Sequence, residues 1–319
     1  MRHDICVMRA LAILAIVLHH SILYVTYVPY GADGMTVLPM DELSFHISTL
    51  CKIFGLGIFT FISGMLLRMQ MPRLTSARTF LTKKVKRIVV PSVIMTVAYV
   101  ICFGHLTVAD IYLGQFNTHL WYLPFIFMAL AITYFVRPDL SKKGILKIAA
   151  IFAGIYILKN ACPLLSFRLD TYYPVFLAGY LLCDVKLCKS VKWGGYLVFL
   201  VLYLYFLKGL TPGLYSFLWS AMMITIGILA ADVARRLVKD KPGRVVMLLD
   251  RQSFHIYLIH QFIINFILLG VAMSGPAWAW WPAMFIITMG ASLLLCSLYD
   301  RASAAITPLR QRHKLINTP

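Results

Sequence analysis

The chain has 319 residues, 61% of them apolar, and a mean hydropathy of +0.81. A water-soluble globule of this length needs far fewer apolar residues, because much of its surface must be solvated, so that class is excluded. The formal charge of +18 raises nucleic acid as a partner, but the basic residues sit between apolar runs, as membrane-orientation signals do, and nucleic-acid binding is set aside.

The N-terminus has a short basic start, Met1-Arg2-His3, followed by an apolar run from Ile5 to about Val28. That run exceeds a signal-peptide core and no small-x-small cleavage site follows it, so it reads as a first membrane helix kept in the mature protein. Further runs place spans at 45–67, 88–103, 119–137, 145–159, 172–185, 193–208, 213–233, 254–272 and 277–299. The third, fifth and sixth are short against the ~20 residues that cross a bilayer. The expectation is an all-α, polytopic membrane bundle of about ten helices, one transmembrane domain over 1–319, with both termini cytoplasmic.

Charge placement supports that parse. Of the 30 Lys and Arg, only Lys159, Arg168 and Lys208 fall in segments assigned outside, and Arg9 and Lys52 lie within spans. The rest are inside, as the positive-inside rule requires. Pro29-Tyr30-Gly31 and Pro276 fall in outside loops, and Trp278, Trp280 and Trp281 suit an outer aromatic belt. The seven cysteines are odd in number and form no C-x-x-C pair, so neither a disulfide framework nor a metal site is indicated.

The first span carries the most informative pair. Arg9 and His20 are eleven residues apart across an apolar stretch, which makes about three turns plus roughly 20° and sets both on one face, about 16 Å apart along the axis. An ionisable side chain inside a bilayer is costly and points to function; a snorkelling arginine and an interfacial histidine bonded to a neighbouring helix is the plainer alternative. The offset suits a long donor such as coenzyme A, with a cation at the cytoplasmic mouth and a base, His20, deep in the bundle at the thioester.

Later motifs admit two readings each. Phe59-Thr60-Phe61-Ile62-Ser63-Gly64 ends the second span with a small pair that allows close backbone approach. Lys83, Lys84, Lys86 and Arg87 precede Pro91 as a topology determinant or as a clamp for cofactor phosphates. His119-Leu120-Trp121-Tyr122 opens the fourth span as an interfacial anchor or a sugar platform. Tyr257 and His260 open the ninth, where a backbone-bonded buried histidine is the plain alternative. No Walker motif, Ser-x-x-Lys or G-x-S-x-G occurs. Every acidic residue, Asp250 among them, falls in a loop or at a span end on this parse, which argues against a proton-coupled transporter.

With Arg9-x10-His20, Phe-Ile-Ser63-Gly64, the basic run closing on Arg87 before Pro91, His119-Leu-Trp-Tyr-Leu and Tyr257-Leu-Ile-His260, the chain resembles the acyltransferase 3 family of bacterial membrane O-acyltransferases over nearly its whole length. The resemblance implies transfer of an acyl group, usually acetyl from cytoplasmic acetyl-CoA, to a hydroxyl of a cell-surface or lipid-linked glycan, at the bacterial inner membrane. It implies His20 and Arg9 as the essential pair. Lys83, Lys84, Lys86, Arg87, Ser63 and Tyr257 are then assigned to the acyl-CoA, and His119, Trp121, Tyr122 and His260 to the acceptor, with no metal. It also implies a stand-alone form without a fused esterase-like domain. Membrane lipids are expected partners, and homo-oligomer formation stays open.

Two departures stand out. Cys6 occupies the place where members commonly carry an Asp, three residues before the first-helix Arg. Lys84 replaces a second Arg, keeping the charge but losing the bidentate fork. The alternative function is transport or export of a small organic anion or glycan intermediate.

Overall fold

The computed structural model describes residues 2–26, 38–74, 76–103, 118–162, 168–183, 189–207, 215–238 and 240–316, with side chains left aside at 189–192, 207, 237 and 304–316. The loop residues Pro29, Tyr30 and Gly31 lie outside these, as do most of 104–118 and Lys208. The described residues form helices and no strand. In chain order they are α1 (His3–Thr26), α2 (Glu42–Gln70), α3 (Ala77–Cys102), α4 (His119–Val136), α5 (Lys142–Ala161), α6 (Leu169–Leu181), α7 (Lys189–Leu207), α8 (Tyr215–Leu237), α9 (Arg244–Gly270) and α10 (Ala277–Ile316).

Each expected span falls on one of these helices. Among the described residues, eight are long and apolar enough to cross a membrane; α6 is a 13-residue helix, and the apolar part of α7, Trp193–Phe206, is also short. Two boundaries differ from the sequence reading. Helix α10 continues well past 299 to Ile316, and α9 begins at Arg244, ahead of the apolar run at 254. A helix persists beyond its apolar stretch wherever packing or solvent satisfies its flanks, which hydropathy does not register.

Helices α1 and α2 form the centre. Helix α1 packs on α2, α8, α9 and α10, and α2 packs also on α6 and α8. The apolar windows of α1, α2 and α4 are about two-thirds buried, at 67%, 61% and 61%, whereas those of α3 and α5 are 17% and 11% buried. The exposed flanks of α3 and α5 carry Val93, Ile94, Ile101, Tyr156 and Ile157, which a lipid environment accommodates and water does not.

Close approach at the centre depends on glycine. A Cβ at Gly179 of α6 would lie 2.0 Å from the Phe61 carbonyl oxygen of α2, and one at Gly64 of α2 would lie 2.0 Å from the Phe176 carbonyl oxygen of α6. Gly55 likewise admits Ile16 of α1. The small residue ending the second span is therefore a packing device, as small residues are between membrane helices.

Caps and breaks follow local chemistry. The Asp41 carboxylate caps α2, accepting from the Ser44 backbone N–H at 2.8 Å and its hydroxyl at 2.7 Å. These bonds hold the Asp41 carboxyl below its ordinary range. In α3 the backbone widens into a π-turn at Val85–Val89. Pro91 supplies the reason: its ring would clash with the carbonyl of Arg87 four residues back, and the wider turn relieves this.

Replacing Gly179 by Ala is expected to lower the thermal midpoint of the detergent-solubilised protein, at a cost of about 1–3 kcal/mol or more for overpacking. Gly154, whose Cβ would meet nothing within 4 Å, is the control and should tolerate Ala.

Candidate functional site

Helices α1 and α9 run parallel and meet at two levels. At the end of the bundle where α1 begins, here the near end, Arg9 Nε lies 2.8 Å from Asp250 Oδ1. The pair is out of line for a hydrogen bond and holds by charge. Asp250 is buried at 4% exposure, while Arg9 keeps 30%. Toward the far end, His20 Nδ1 lies 2.9 Å from His260 Nε2. Arg9 and His20 thus face the same neighbour, which is what their spacing predicts for one helix face.

The backbone fixes the protonation pattern of the histidine pair. His260 Nδ1 donates to the carbonyls of Ile256 at 3.0 Å and Tyr257 at 2.8 Å, so in the neutral ring its proton is there and Nε2 is an acceptor. His20 must then donate its Nδ1 proton to His260, leaving His20 Nε2 with a free lone pair. The chain of bonds from α9 carbonyl to His260 to His20 presents a base.

His119 completes the group. Its ring centroid is 4.7 Å from that of His260 and 6.2 Å from that of His20. Gln261 Oε1 accepts from the His119 backbone N–H at 2.6 Å and from its Nδ1, and the Leu258 carbonyl lies 3.2 Å from Nε2. The Tyr257 hydroxyl donates to the His119 carbonyl oxygen. Three residues of α9 therefore tie down the start of α4. Neighbouring His19 turns the other way, with Nδ1 2.9 Å from Ser48 Oγ on α2. Among the described residues, no set of three His, Cys, Asp or Glu side chains converges as a metal site.

The sequence-derived residues fall into two groups. His20, His119, Tyr257 and His260 share one cluster, and Tyr122 borders it, its ring 5.7 Å from that of Tyr257 and its hydroxyl 3.2 Å from Thr60 Oγ1. Tyr257 thus sits with the histidines and not with the basic run. Trp121 stands at the edge, its ring tilted against Tyr172 at 5.0 Å between centroids and under the Arg168 guanidinium at 4.6 Å. Ser63 donates its hydroxyl to the Phe59 carbonyl of its own helix at 2.8 Å. Lys83, Lys84, Lys86 and Arg87 lie apart from the cluster, on α3 around the π-turn. Lys83, Lys86 and Arg87 are exposed, and Lys84 rests on the Phe80 ring at 5.5 Å. None of the four pairs with a described carboxylate.

Asp250 is a correction to the sequence reading, which set it outside the ninth span. It lies within α9, buried, because that helix starts at Arg244. Its signal was periodicity: Asp250, Ser253, Tyr257, His260 and Gln261 recur at helical spacing and all are buried. Gln261 was missed for the same reason, as a polar residue inside an apolar run.

Fold and site together define a polytopic membrane protein with a buried cluster of hydrogen-bonded histidines. A family model described as an acyltransferase domain, Acyl_transf_3, matches residues 2–297, so the chain belongs to the acyltransferase 3 family. No curated protein and no solved structure gives a significant match to it. At Cys6, where the chain departs from the family pattern, the buried thiol faces Asp250. The carboxylate beside Arg9 comes from α9.

Asp250→Ala leaves a largely buried arginine without its counter-charge and is expected to cost about 3–5 kcal/mol. The double variant Arg9→Met/Asp250→Leu should recover much of that thermal stability. Equal melting of the wild type and both variants in detergent would show that the pair carries no such energy.

Proposed function

We propose that the protein is a membrane O-acyltransferase that moves an acetyl group from cytoplasmic acetyl-CoA to a hydroxyl of a cell-surface or lipid-linked glycan. The observation that carries this reading is the bond chain from the α9 backbone through His260 to His20, which leaves His20 Nε2 unprotonated. Family membership supports the reaction class. The near end is then cytoplasmic, the chain crosses the bacterial inner membrane ten times, and both termini are cytoplasmic. The basic groups Arg68–Arg87, Arg137–Lys147 and Arg235–Arg251 border that end, in keeping with the positive-inside rule.

The proposed step balances simply. His20 Nε2 takes the proton from the acceptor hydroxyl as its oxygen forms a bond to the thioester carbonyl carbon. The carbon–sulfur bond breaks, and the departing sulfur takes the proton from His20, giving the ester and free CoA thiol. His260 does not touch the reacting atoms; it is a positioning residue that holds the tautomer. Arg9, anchored by Asp250, and the Lys83–Arg87 run line the donor's route to its phosphates. His119, Trp121 and Tyr122 border the acceptor side.

A transporter is the second reading, and Asp250 gives it the buried acid that the sequence parse lacked. That acid is committed to Arg9, which weighs against a proton relay.

Purified protein incubated with acetyl-CoA is expected to bind the donor and hydrolyse it slowly. His20→Ala should bind donor with turnover reduced by about 10²–10⁴, the usual range for losing a general base. His260→Ala should lower kcat by less, with little change in KM. Normal turnover by His20→Ala would overturn the mechanism, and saturable flux of a solute without any acyl donor would favour the transporter.

A further inference from the structure

A cavity of 610 Å³ lies on the flank of the bundle between α5, α6 and α8, and none of its lining residues belongs to the histidine cluster. Its size falls within the range of about 300–1,000 Å³ that small-molecule sites occupy. The two ends of the cavity differ. Lys159, Asn160, Asp170 and Ser216 line it at the far end of the bundle, and Phe152, Ile155 and Ile224 line it deeper in. Helix geometry sets this gradient. On α5, Ile155 and Phe152 precede Lys159 by about one and two turns, and on α8 Ile224 follows Ser216 by about two. The rim carries Tyr156 at 70% exposure and Phe217 at 67%, so the opening faces hydrocarbon.

The polar end is rich in acceptors. Lys159 Nζ lies 2.5 Å from Asp170 Oδ2, and the Ser216 hydroxyl donates to the same oxygen at 2.9 Å. Among the described residues no bond ends on Asp170 Oδ1. Asn160 donates its Nδ2 to the Tyr156 carbonyl at 2.8 Å, which leaves its Oδ1 as an acceptor. Pro174, four residues after Asp170, has no N–H to give the Asp170 carbonyl, and both residues line the cavity. One cation therefore stands beside three acceptor oxygens. The Lys159 side chain is 48% exposed and that of Asp170 20%, so neither is sealed off from the opening. Ser220 donates to the Thr171 carbonyl at 2.6 Å and fastens α8 to α6 beneath them.

We infer that this cavity binds a membrane lipid with a phosphoethanolamine headgroup, its chain lying against Phe152, Ile155 and Ile224. Charge complementarity carries the assignment. A primary ammonium has three N–H groups, which match Asp170 Oδ1, Asn160 Oδ1 and the Asp170 carbonyl, while the Lys159 ammonium takes the phosphate. A choline headgroup has no N–H for these acceptors, and covering them unpaired is costly. An anionic headgroup without a cation satisfies Lys159 but meets the Asp170 carboxylate. The site does not depend on the acyl-transfer reading.

The test releases the full-length protein from micelles holding equal amounts of dioleoyl phosphatidylethanolamine, phosphatidylcholine and phosphatidylglycerol, and counts the retained lipids by native mass spectrometry. Phosphatidylethanolamine is expected to be retained about tenfold over either of the others. Its N-methyl and N,N-dimethyl forms should fall between it and phosphatidylcholine, in order of their remaining N–H groups. Equal retention of the ethanolamine and choline lipids would overturn the inference, and that comparison needs the wild type alone. Preference for phosphatidylglycerol would also overturn it, reducing the site to a plain cation. Lys159→Gln and Asp170→Asn should each lower the ethanolamine preference by about tenfold. An unchanged preference in either variant, eluting as a folded, monodisperse species, would set the lipid elsewhere on the protein and sink the assignment.

Discussion

Polar side chains in a lipid-embedded bundle have only one another and the backbone for partners, and this constraint organises the contact of α1 with α9. Arg9 is drawn to Asp250 at one level and His20 to His260 at another. An unpaired ionisable group facing hydrocarbon is costly, so these two contacts fix both the rotation of α1 and its height against α9. The apolar rows between them slide more freely, since one aliphatic contact replaces another at little cost. The register of the site is therefore set by its polar residues.

The same helix then organises the remainder of the cluster. Tyr257, Leu258 and Gln261 hold the start of α4 through His119, so α9 positions three histidines on two other elements and itself. Each bond ends on a backbone carbonyl or an amide whose own position is set by helix geometry. Such a network has few alternative arrangements, and it holds the His260 ring in one tautomer. The glycine contacts of α2 with α6 serve this indirectly, because close-packed backbones leave little room for α2 to shift away from α1.

The two ends of the bundle differ in how they manage charge. At the near end Arg9 is neutralised by a carboxylate, while the basic run on α3 is exposed around a π-turn. At the far end Lys52 rests on the indole of Trp219 and Arg168 on that of Trp121.

Sequence by itself determined the all-helical membrane class, the positions of the helices among the described residues and the Arg9–His20 face, because hydropathy and helical periodicity are properties of single segments. It also singled out His119, Tyr257 and His260, through local motifs, and the structure brings these three together with His20. It did not place Tyr257 with the histidines or Asp250 inside α9, and it gave no reason to set Lys52 against Trp219. Those depend on contacts between residues far apart in the chain, such as Arg9 with Asp250 and Lys52 with Trp219. Only the tertiary structure decided them, since a polar residue's partner in a membrane bundle is set by which helix faces it, and a one-dimensional pattern carries no record of neighbours.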